Sequence, residues 1–443
     1  MVGISEIDVD AIIAYGVIHL EGTYDNFTYP LKEEMQQWLL DRNIGYDFKK
    51  KKSTIKSLRL EKLKLVYKYS ILLNNYGDIS LINPSKLPDF DLFNFTFSCT
   101  DYSTAGKQQG KVDKQGNITR SGQYIYGVNI IKAKKPKYIM IENVKNLISK
   151  KFINDFYDII NELNNIGYNC YYPKNNKGKP ICLNAKDYGI PQNRERIFVI
   201  CIRQDIDNKN FEFPEGFDNG IRLKDLLEDK IDEKYYISQD KTNKLLFELK
   251  AKEIGVNPCL TPDRINKRQN GRRFKEDREA SFTINTQDRH GILINQDKVR
   301  FKDDNVSSCL DANYYTGLDN HAQRTGILES DAQLPILHNI YGGFNEKKPR
   351  LFFDYSPTIR TSAGGGHIPS VCTNDSTKVE KIIDQYRIRK FTPKECWRLM
   401  DFDDEDIDKC INIGISNTSL YKMAGNSIVV SVLYYIFKNL FNI

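Results

Sequence analysis

Cys99 is the residue best placed for nucleophilic chemistry. It closely follows the apolar run Phe90-Asp-Leu-Phe-Asn-Phe-Thr-Phe97 and opens a polar loop, Thr100-Asp-Tyr-Ser-Thr-Ala-Gly-Lys-Gln-Gln-Gly110. α/β folds place reactive groups at the carboxyl ends of parallel strands. An arbitrary cysteine is more often a small, inert core residue. Here Gly106 and Gly110 allow the loop to move, and Lys107 could hold an anion or a phosphate. Three more clusters accompany it. Glu142-Asn-Val144 closes a second apolar run, Gln192-Asn-Arg-Glu-Arg196 opens a third, and Gly425-Asn-Ser427 leads into the last helix. Taken singly, a Glu or a pair of arginines reads as a surface salt bridge. A thiol, a carboxylic acid and guanidinium groups are also the parts of nucleophilic catalysis with proton transfer.

These clusters need elements to hold them. Residues 1–205 alternate strands with helices: apolar strands are expected at 2–7, 90–97, 138–142 and 196–202. Such continuous runs suit strands buried on both faces of a parallel sheet. Between the last two, Phe152, Phe156, Ile159, Ile160 and Leu163 have helical spacing, with Gly167 placed to stop the helix. The fold class is therefore α/β. From 206 the texture changes, and residues 240–385 carry short β-prone segments with many turn residues. A loose repeat runs through Asn257-Pro-Cys-Leu-Thr-Pro-Asp-Arg264, Ala280-Ser-Phe-Thr-Ile-Asn-Thr-Gln-Asp-Arg-His-Gly291, Ser307-Ser-Cys-Leu-Asp-Ala-Asn313 and Ser356-Pro-Thr-Ile-Arg-Thr-Ser362. It reads either as recurrent strand–turn chemistry or as a reused loop facing a polymer. Helical patterning then returns. Thr392-Pro-Lys-Glu395 is a capping box opening a helix through Met400, and the last helix spans 428–441. The expected organisation is an α/β domain over 1–205, a β-rich insert over 206–385, and a C-terminal segment, 386–443, returning to the first domain.

The 443 residues allow two or three units at about 150 residues each. A hydrophobic fraction of 40% fits a globular protein, and the mean hydropathy is -0.53. No uninterrupted apolar run approaches the roughly 18 residues of a membrane span. The first residues lack a basic n-region and a cleavage site, so no signal peptide is expected. The nine Cys are scattered without a C-x-x-C pair. That argues against a disulfide framework or a metal site and for a reducing cytosol. Lys+Arg of 65 against Asp+Glu of 58 leaves +7, with a pI near 8.7. Residues 241–300 hold 14 Lys/Arg and 8 Asp/Glu. That stretch is either a solvated surface or a phosphate-contacting face.

In order along the chain, the clusters resemble the DNA (cytosine-5)-methyltransferase family of bacteria and phages. Phe97-Ser-Cys-Thr-Asp-Tyr-Ser-Thr-Ala-Gly-Lys107 is similar to its Pro-Cys-(Gln or Thr)-x-x-Ser-x-Ala-Gly nucleophile motif. Glu142-Asn-Val144 and Gln192-x-Arg194-x-Arg196 match its Glu-Asn-Val and Gln-x-Arg-x-Arg motifs. Arg389-Lys-Phe-Thr-Pro-Lys-Glu-Cys-Trp-Arg-Leu399 and Gly425-Asn-Ser-Ile-Val-Val430 are similar to its last two segments. Ser5-Glu-Ile-Asp8 and Gly77-Asp78-Ile79 look like its acidic cofactor motifs.

The resemblance implies a Rossmann-like, S-adenosyl-L-methionine-dependent methyltransferase sheet with a smaller, β-rich target-recognition domain inserted. It implies double-stranded DNA as partner and a target cytosine flipped out of the helix. Cys99 would add to cytosine C6, Glu142 would serve N3 as the acid, and Arg196 would contact O2, with Arg194 in support. Glu6 would meet the cofactor ribose, Asp78 the adenine amine, and Asn426 and Ser427 the methionine end. Arg264, Lys267, Arg268, Arg272, Arg273 and Arg289 would contact DNA phosphates or guanine edges. No membrane or metal is implied. A cognate restriction endonuclease, acting without a stable complex, and a cytoplasmic location in a bacterial or phage-infected cell go with the family.

Three departures stand against the pattern. The family opens with a strand and a Phe-x-Gly-x-Gly loop, whereas Met1 falls just before the second motif, and the chain ends soon after the last motif. A truncated start, a split enzyme complemented by another chain, or a decayed, DNA-binding remnant would each account for this. Ser98 stands in the usual Pro position, and Gln123 where Leu is usual.

Overall fold

The computed structural model describes residues 1–20, 26–48, 50–97, 102, 119, 121–236, 238, 258–260, 290–295, 307–308 and 386–442. The chain divides into two units. Unit 1 is Met1–Ile190, Arg194–Asn219 and Met400–Ile443, and unit 2 is Pro191–Asn193 and Gly220–Leu399. These limits differ from the boundaries drawn at 205/206 and 385/386. Residues 206–219 stay with unit 1 because they bond back to it. Tyr188 Oη donates to Pro214 O at 2.8 Å, and Asn439 Nδ2 donates to Glu212 O at 3.1 Å. Residues 386–399 belong with the insert, whose sheet and buried ion pair they build.

In chain order come α1 (Val9–Leu20), α2 (Lys32–Leu40), the hairpin strands β1 (Tyr46–Asp47) and β2 (Lys52–Ser53), and α3 (Leu60–Leu72). Next are β3 (Leu92–Thr96), α4 (Tyr124–Lys134), β4 (Tyr138–Val144), α5 (Ile153–Ile166), β5 (Tyr168–Tyr171) and β6 (Leu183–Asn184). Then follow β7 (Gln192–Asn193), β8 (Glu195–Arg203), β9 (Pro258–Leu260), β10 (His290–Asn295), β11 (Ser307–Ser308) and β12 (Tyr386–Arg389). The described chain closes with α6 (Pro393–Arg398), α7 (Asp404–Asn412), α8 (Asn417–Asn426) and α9 (Val430–Phe441).

The sheet of unit 1 runs β3-β4-β8-β5, with β6 added on β8. It is mixed, where the apolar runs suited a parallel sheet. β3 and β4 are parallel, but β8 lies antiparallel to β4, β5 and β6. The cause is the connection. α5 carries the chain from β4 over to a parallel β5, as a helical crossover must. The chain then turns back and β8 fills the gap between those two strands. β8 justifies its apolar run, since Ile197–Ile202 is buried throughout. β3 does not, because Phe95 is buried while Asn94 and Thr96 are exposed. The expected strand at 2–7 reduces to one parallel bridge, Ile4 to Asn75. Beyond it the buried Asn75 side chain replaces a backbone ladder: its Oδ1 accepts from Glu6 N at 3.0 Å and its Nδ2 donates to Glu6 O at 2.9 Å.

α5 follows its periodicity. Phe156, Ile159, Ile160 and Leu163 are buried in the core cluster with β3, β4 and β8. Each such side chain contributes about 1.5–3 kcal/mol. Gly167 ends the helix at φ +108°, the left-handed position that favours glycine. Cys170 and Cys201 are direct partners across β5 and β8, with Cα atoms 4.2 Å apart and their sulfurs in contact. The scattered cysteine spacing did not suggest it, because the two are neighbours only once β8 sits beside β5.

In unit 2, β12, β10 and β9 form an antiparallel sheet, and β11 lies parallel to β7. The capping box is formed: Thr392 Oγ1 accepts from Glu395 N at 3.1 Å, and Glu395 Oε2 accepts from Thr392 N at 2.9 Å. Glu395 also binds Arg389 through two 2.8 Å bonds and accepts from Glu228 N at 3.0 Å.

The last helix begins at Val430, so Gly425-Asn-Ser427 does not start it. Gly425 and Asn426 form the final turn of α8, and Ser427 is its C-cap. Ser416 explains the shift, since its hydroxyl caps α8 by accepting from Ser419 N. The 25-residue stretch Asn417–Phe441 is long and apolar enough to cross a membrane by length and composition. The break between α8 and α9 leaves helices of 10 and 12 residues, each shorter than the about 20 needed.

Candidate active site

β4 and β8 set the centre of the site in register. Glu142 lies opposite Phe198 and Val144 opposite Arg196, so two residues from the strand end an acid and a guanidinium come together. Arg196 Nε is 3.0 Å from Glu142 Oε1, with side chains 14% and 13% exposed. Burial pushes the Glu142 carboxyl above the usual carboxylate range, against the opposing pull of Arg196 and Arg194. Its Oε2 has no hydrogen-bond partner among the described residues. Lys145 pairs with Glu195 at 2.8 and 2.7 Å on the outer side of the same strands.

Cys99 lies outside the described residues, but its flanks do not. Asn143 Nδ2 donates to Phe97 O at 3.2 Å, while its Oδ1 accepts from Val144 N at 2.9 Å. Asn146 Nδ2 donates to Tyr102 O. Tyr102 is wholly buried, and its hydroxyl donates to Asp155 Oδ2, in the first turn of α5, at 3.1 Å. The segment that follows Glu142 thus grips the chain on both sides of residues 98–101. Another thiol, Cys182, also lies near Glu142 and Arg196. Burial and Glu195 push it up to about 12, which leaves it protonated and a poor nucleophile at neutral pH.

Arg194 points elsewhere. Buried, it donates through Nη2 to Gly425 O at 3.0 Å and Ser427 O at 2.6 Å, a cation against the C-terminal carbonyls of α8. α8 is held at its other end too, by Ser419 to Asp10 and Lys422 to Asp8. One helix therefore connects the Glu142 strands with the loop bearing Glu6. Asn426 is exposed on its last turn.

Glu6 and Asp78 belong to one cluster of loops. Ser5 Oγ donates to Gly77 O at 2.6 Å, and Asp78 N to Arg42 O at 2.9 Å. Gly77 is required there: its φ is +72°, and a Cβ would meet Arg42 O at 2.1 Å. Glu6 Oε1 accepts from Ile7 N and Asp8 N, both at 2.7 Å. Burial raises its carboxyl, with those two amides pulling the other way. Asp78 is buried. Its Oδ1 accepts from Ser80 N at 2.9 Å and Ser80 Oγ at 2.8 Å, and its Oδ2 accepts from Asn43 Nδ2 at 3.0 Å.

Glu142, Arg194 and Arg196 are thus gathered in unit 1, and Glu6 and Asp78 share a loop cluster. Gln192, in unit 2, donates to Leu399 O. Arg264, Lys267, Arg268, Arg272, Arg273 and Arg289 lie outside the described residues, as do Ser98 and Lys107. Sequence reasoning missed Asn43, Asn75, Asn146, Asp155 and Lys422. Their only linear signal is proximity to a motif, and their partners are 35 to 414 residues away.

The family model for C-5 cytosine-specific DNA methylase matches residues 43–442. The type II methyltransferase M2.ScrFI of Lactococcus lactis subsp. cremoris is 33% identical over 100% of this chain and 92% of its own. The orphan methyltransferase M.SPRI of Bacillus phage SPR is 32% identical over 83% of this chain and 86% of its own. Among solved structures, the Entamoeba histolytica methyltransferase EhMeth gives a TM-score of 0.46 at 16% identity, over 100% of this chain and 98% of that one. On the sequence matches and the motif order, the chain belongs to the C-5 cytosine-specific DNA methylase family.

Proposed function

We propose that this protein transfers a methyl group from S-adenosyl-L-methionine to C5 of a cytosine flipped out of duplex DNA. The observation that carries the reading is the double grip on the chain around Cys99. Asn143 and Asn146 bind the carbonyls of Phe97 and Tyr102, next to the Glu142–Arg196 pair.

Cytosine C5 is too weak a nucleophile unaided. The Cys99 thiolate adds to C6, forming an S–C6 bond and moving an electron pair toward C5 and N3. The raised Glu142 carboxyl can supply a proton or a hydrogen bond at N3. Arg196 holds the Glu142 carboxylate and faces O2, and Arg194 fixes the turn at Gly425 and Ser427. After methylation the C5 proton leaves, the S–C6 bond breaks, and the thiolate is restored. Flipping is required because stacking covers the ring face through which the thiolate and the methyl donor must approach, and N3 is occupied in the base pair.

The loop cluster fits an adenosine-type ligand. Glu6 Oε1 accepts from the backbone amides of Ile7 and Asp8, which leaves Oε2 for a ribose hydroxyl. Asp78 Oδ2 accepts one described donor and retains a second acceptor position for an amine. Asn426 and Ser427 would meet the methionine end. The bound cofactor supplies an electrophilic methyl group. The insert bounded by unit 1 would read DNA through Arg264, Lys267, Arg268, Arg272, Arg273 and Arg289.

The test is trapping on duplex DNA carrying 5-fluorocytosine, which blocks loss of the C5 substituent. A stable protein–DNA adduct that disappears in Cys99→Ser is expected. Duplex binding with neither adduct nor tritiated methyl transfer would overturn the catalytic reading.

A further inference from the structure

Positive charge is not confined to the insert. Residues 42–68 hold ten Lys/Arg against two acids, Asp47 and Glu61. This local excess is larger than that of 241–300, and it lies in unit 1. Its densest part is the β1–β2 hairpin, where Lys50, Lys51 and Lys52 are consecutive, and Lys56 follows. All four are exposed. Lys50 approaches Asp47 at 3.7 Å with its side chain 69% exposed. Lys51, Lys52 and Lys56 form no ion pair with a described residue.

The hairpin opposes its own stability in two ways. Adjacent like charges repel, and Lys51 takes φ +51°, the left-handed region that disfavours a residue with a Cβ. The clustered charge suits a surface that meets an anionic partner. Phe48, exposed beside the lysines, packs edge-on against Tyr46 at 5.0 Å and stiffens the ribbon. The base of the hairpin is fixed as well: Gly45 N donates to Ile7 O at 2.7 Å and Thr54 N to Gly45 O at 2.9 Å. It therefore springs from the loop cluster that carries Glu6 and Asp78.

We propose that the β1–β2 hairpin, with Lys56, is a second DNA surface that contacts the phosphates of duplex DNA without reading bases. The proposal rests on the reading that the chain acts on duplex DNA. Lysine ammonium groups are point charges that suit phosphates, whereas base reading favours the planar arginine fork. This surface would add to affinity equally for all sequences.

The experiment measures binding of the full chain to a fluorescent duplex of random sequence, several helical turns long, across a salt series. Each phosphate contact contributes about 0.9 to the slope of log affinity against log salt. The combined Lys50→Gln, Lys51→Gln, Lys52→Gln and Lys56→Gln variant is expected to lose roughly three from that slope and on the order of 10-fold in affinity at moderate salt. Its thermal unfolding should be no lower than that of the unaltered chain, since all four side chains are exposed and their removal relieves like-charge repulsion. Unchanged slope and affinity would overturn the proposal. So would an equal loss in a Lys177→Gln, Lys179→Gln and Lys209→Gln control, or hairpin-dependent binding to phosphatidylserine vesicles with DNA binding intact. An unaltered chain that binds no duplex at any salt would remove the functional reading and this surface with it.

Discussion

Among the described residues two Glu–Arg pairs share the same side-chain chemistry and differ in situation. Arg389 and Glu395, in unit 2, are 3% and 0% exposed and bind through two bonds. The Glu395 carboxylate also accepts from Thr392 N and Glu228 N, so its lone pairs are used. Glu142 and Arg196, in unit 1, are near one another at a strand end, and one Glu142 oxygen is left over among the described residues. A saturated pair can only hold chain segments together. An incompletely satisfied one can still take a proton or a substrate atom. The Arg–Glu chemistry is shared, and what differs is the number of donors that the surrounding backbone supplies.

The strongest way to break the comparison is at Glu142. Glu142→Gln should lower kcat about 100- to 10,000-fold with little change in thermal unfolding, as measured by tritiated-methyl transfer and a melting curve. In unit 2 the effects reverse. Arg389→Met strands a buried carboxylate and should destabilise the protein by about 3–5 kcal/mol, read from denaturant unfolding. The double variant Arg389→Met, Glu395→Leu should recover much of that loss, because no unpaired charge remains. If Glu142→Gln unfolds the protein, or Arg389→Met is silent, the two pairs are not as different as their geometry indicates.

The pH profile sharpens the same point. A raised Glu142 carboxyl keeps its proton to higher pH than an ordinary carboxylate. Activity that needs this proton should fall as pH rises through the raised value, and Glu142→Gln should lack that limb. The sign for stability agrees: the proton is bound more tightly in the folded protein. That contribution is present at low pH and is lost as pH climbs through the folded value. The smallest effect is expected at Tyr102→Phe, which deletes the bond to Asp155. It should cost about 1–3 kcal/mol of stability, and slow adduct formation more than it alters DNA affinity in the trapping assay.

Much of the fold was legible in one dimension. α5 was, because its apolar spacing and Gly167 are local signals, and so was the capping box of α6, because Thr392 and Glu395 are three residues apart. The antiparallel course of β8 was not, since an apolar run carries no direction. The start of α9 was misplaced because Gly425-Asn-Ser427 reads equally as the end of one helix or the beginning of the next. Arg194 decides between them from 231 residues away.

The sequence by itself determined the family and the order of the motifs, and it put forward Cys99, Glu142, Arg194 and Arg196 as the residues of the proposed reaction, because that chemistry asks for those side-chain types wherever they lie. Only the tertiary structure decided which acid keeps an unfilled oxygen and which is saturated. It also decided that Arg194 serves a helix end, and that the lysines after Asp47 stand out on a hairpin rooted beside Glu6. Each of these depends on donors and acceptors brought together across the chain, and burial and hydrogen bonding are properties of that meeting.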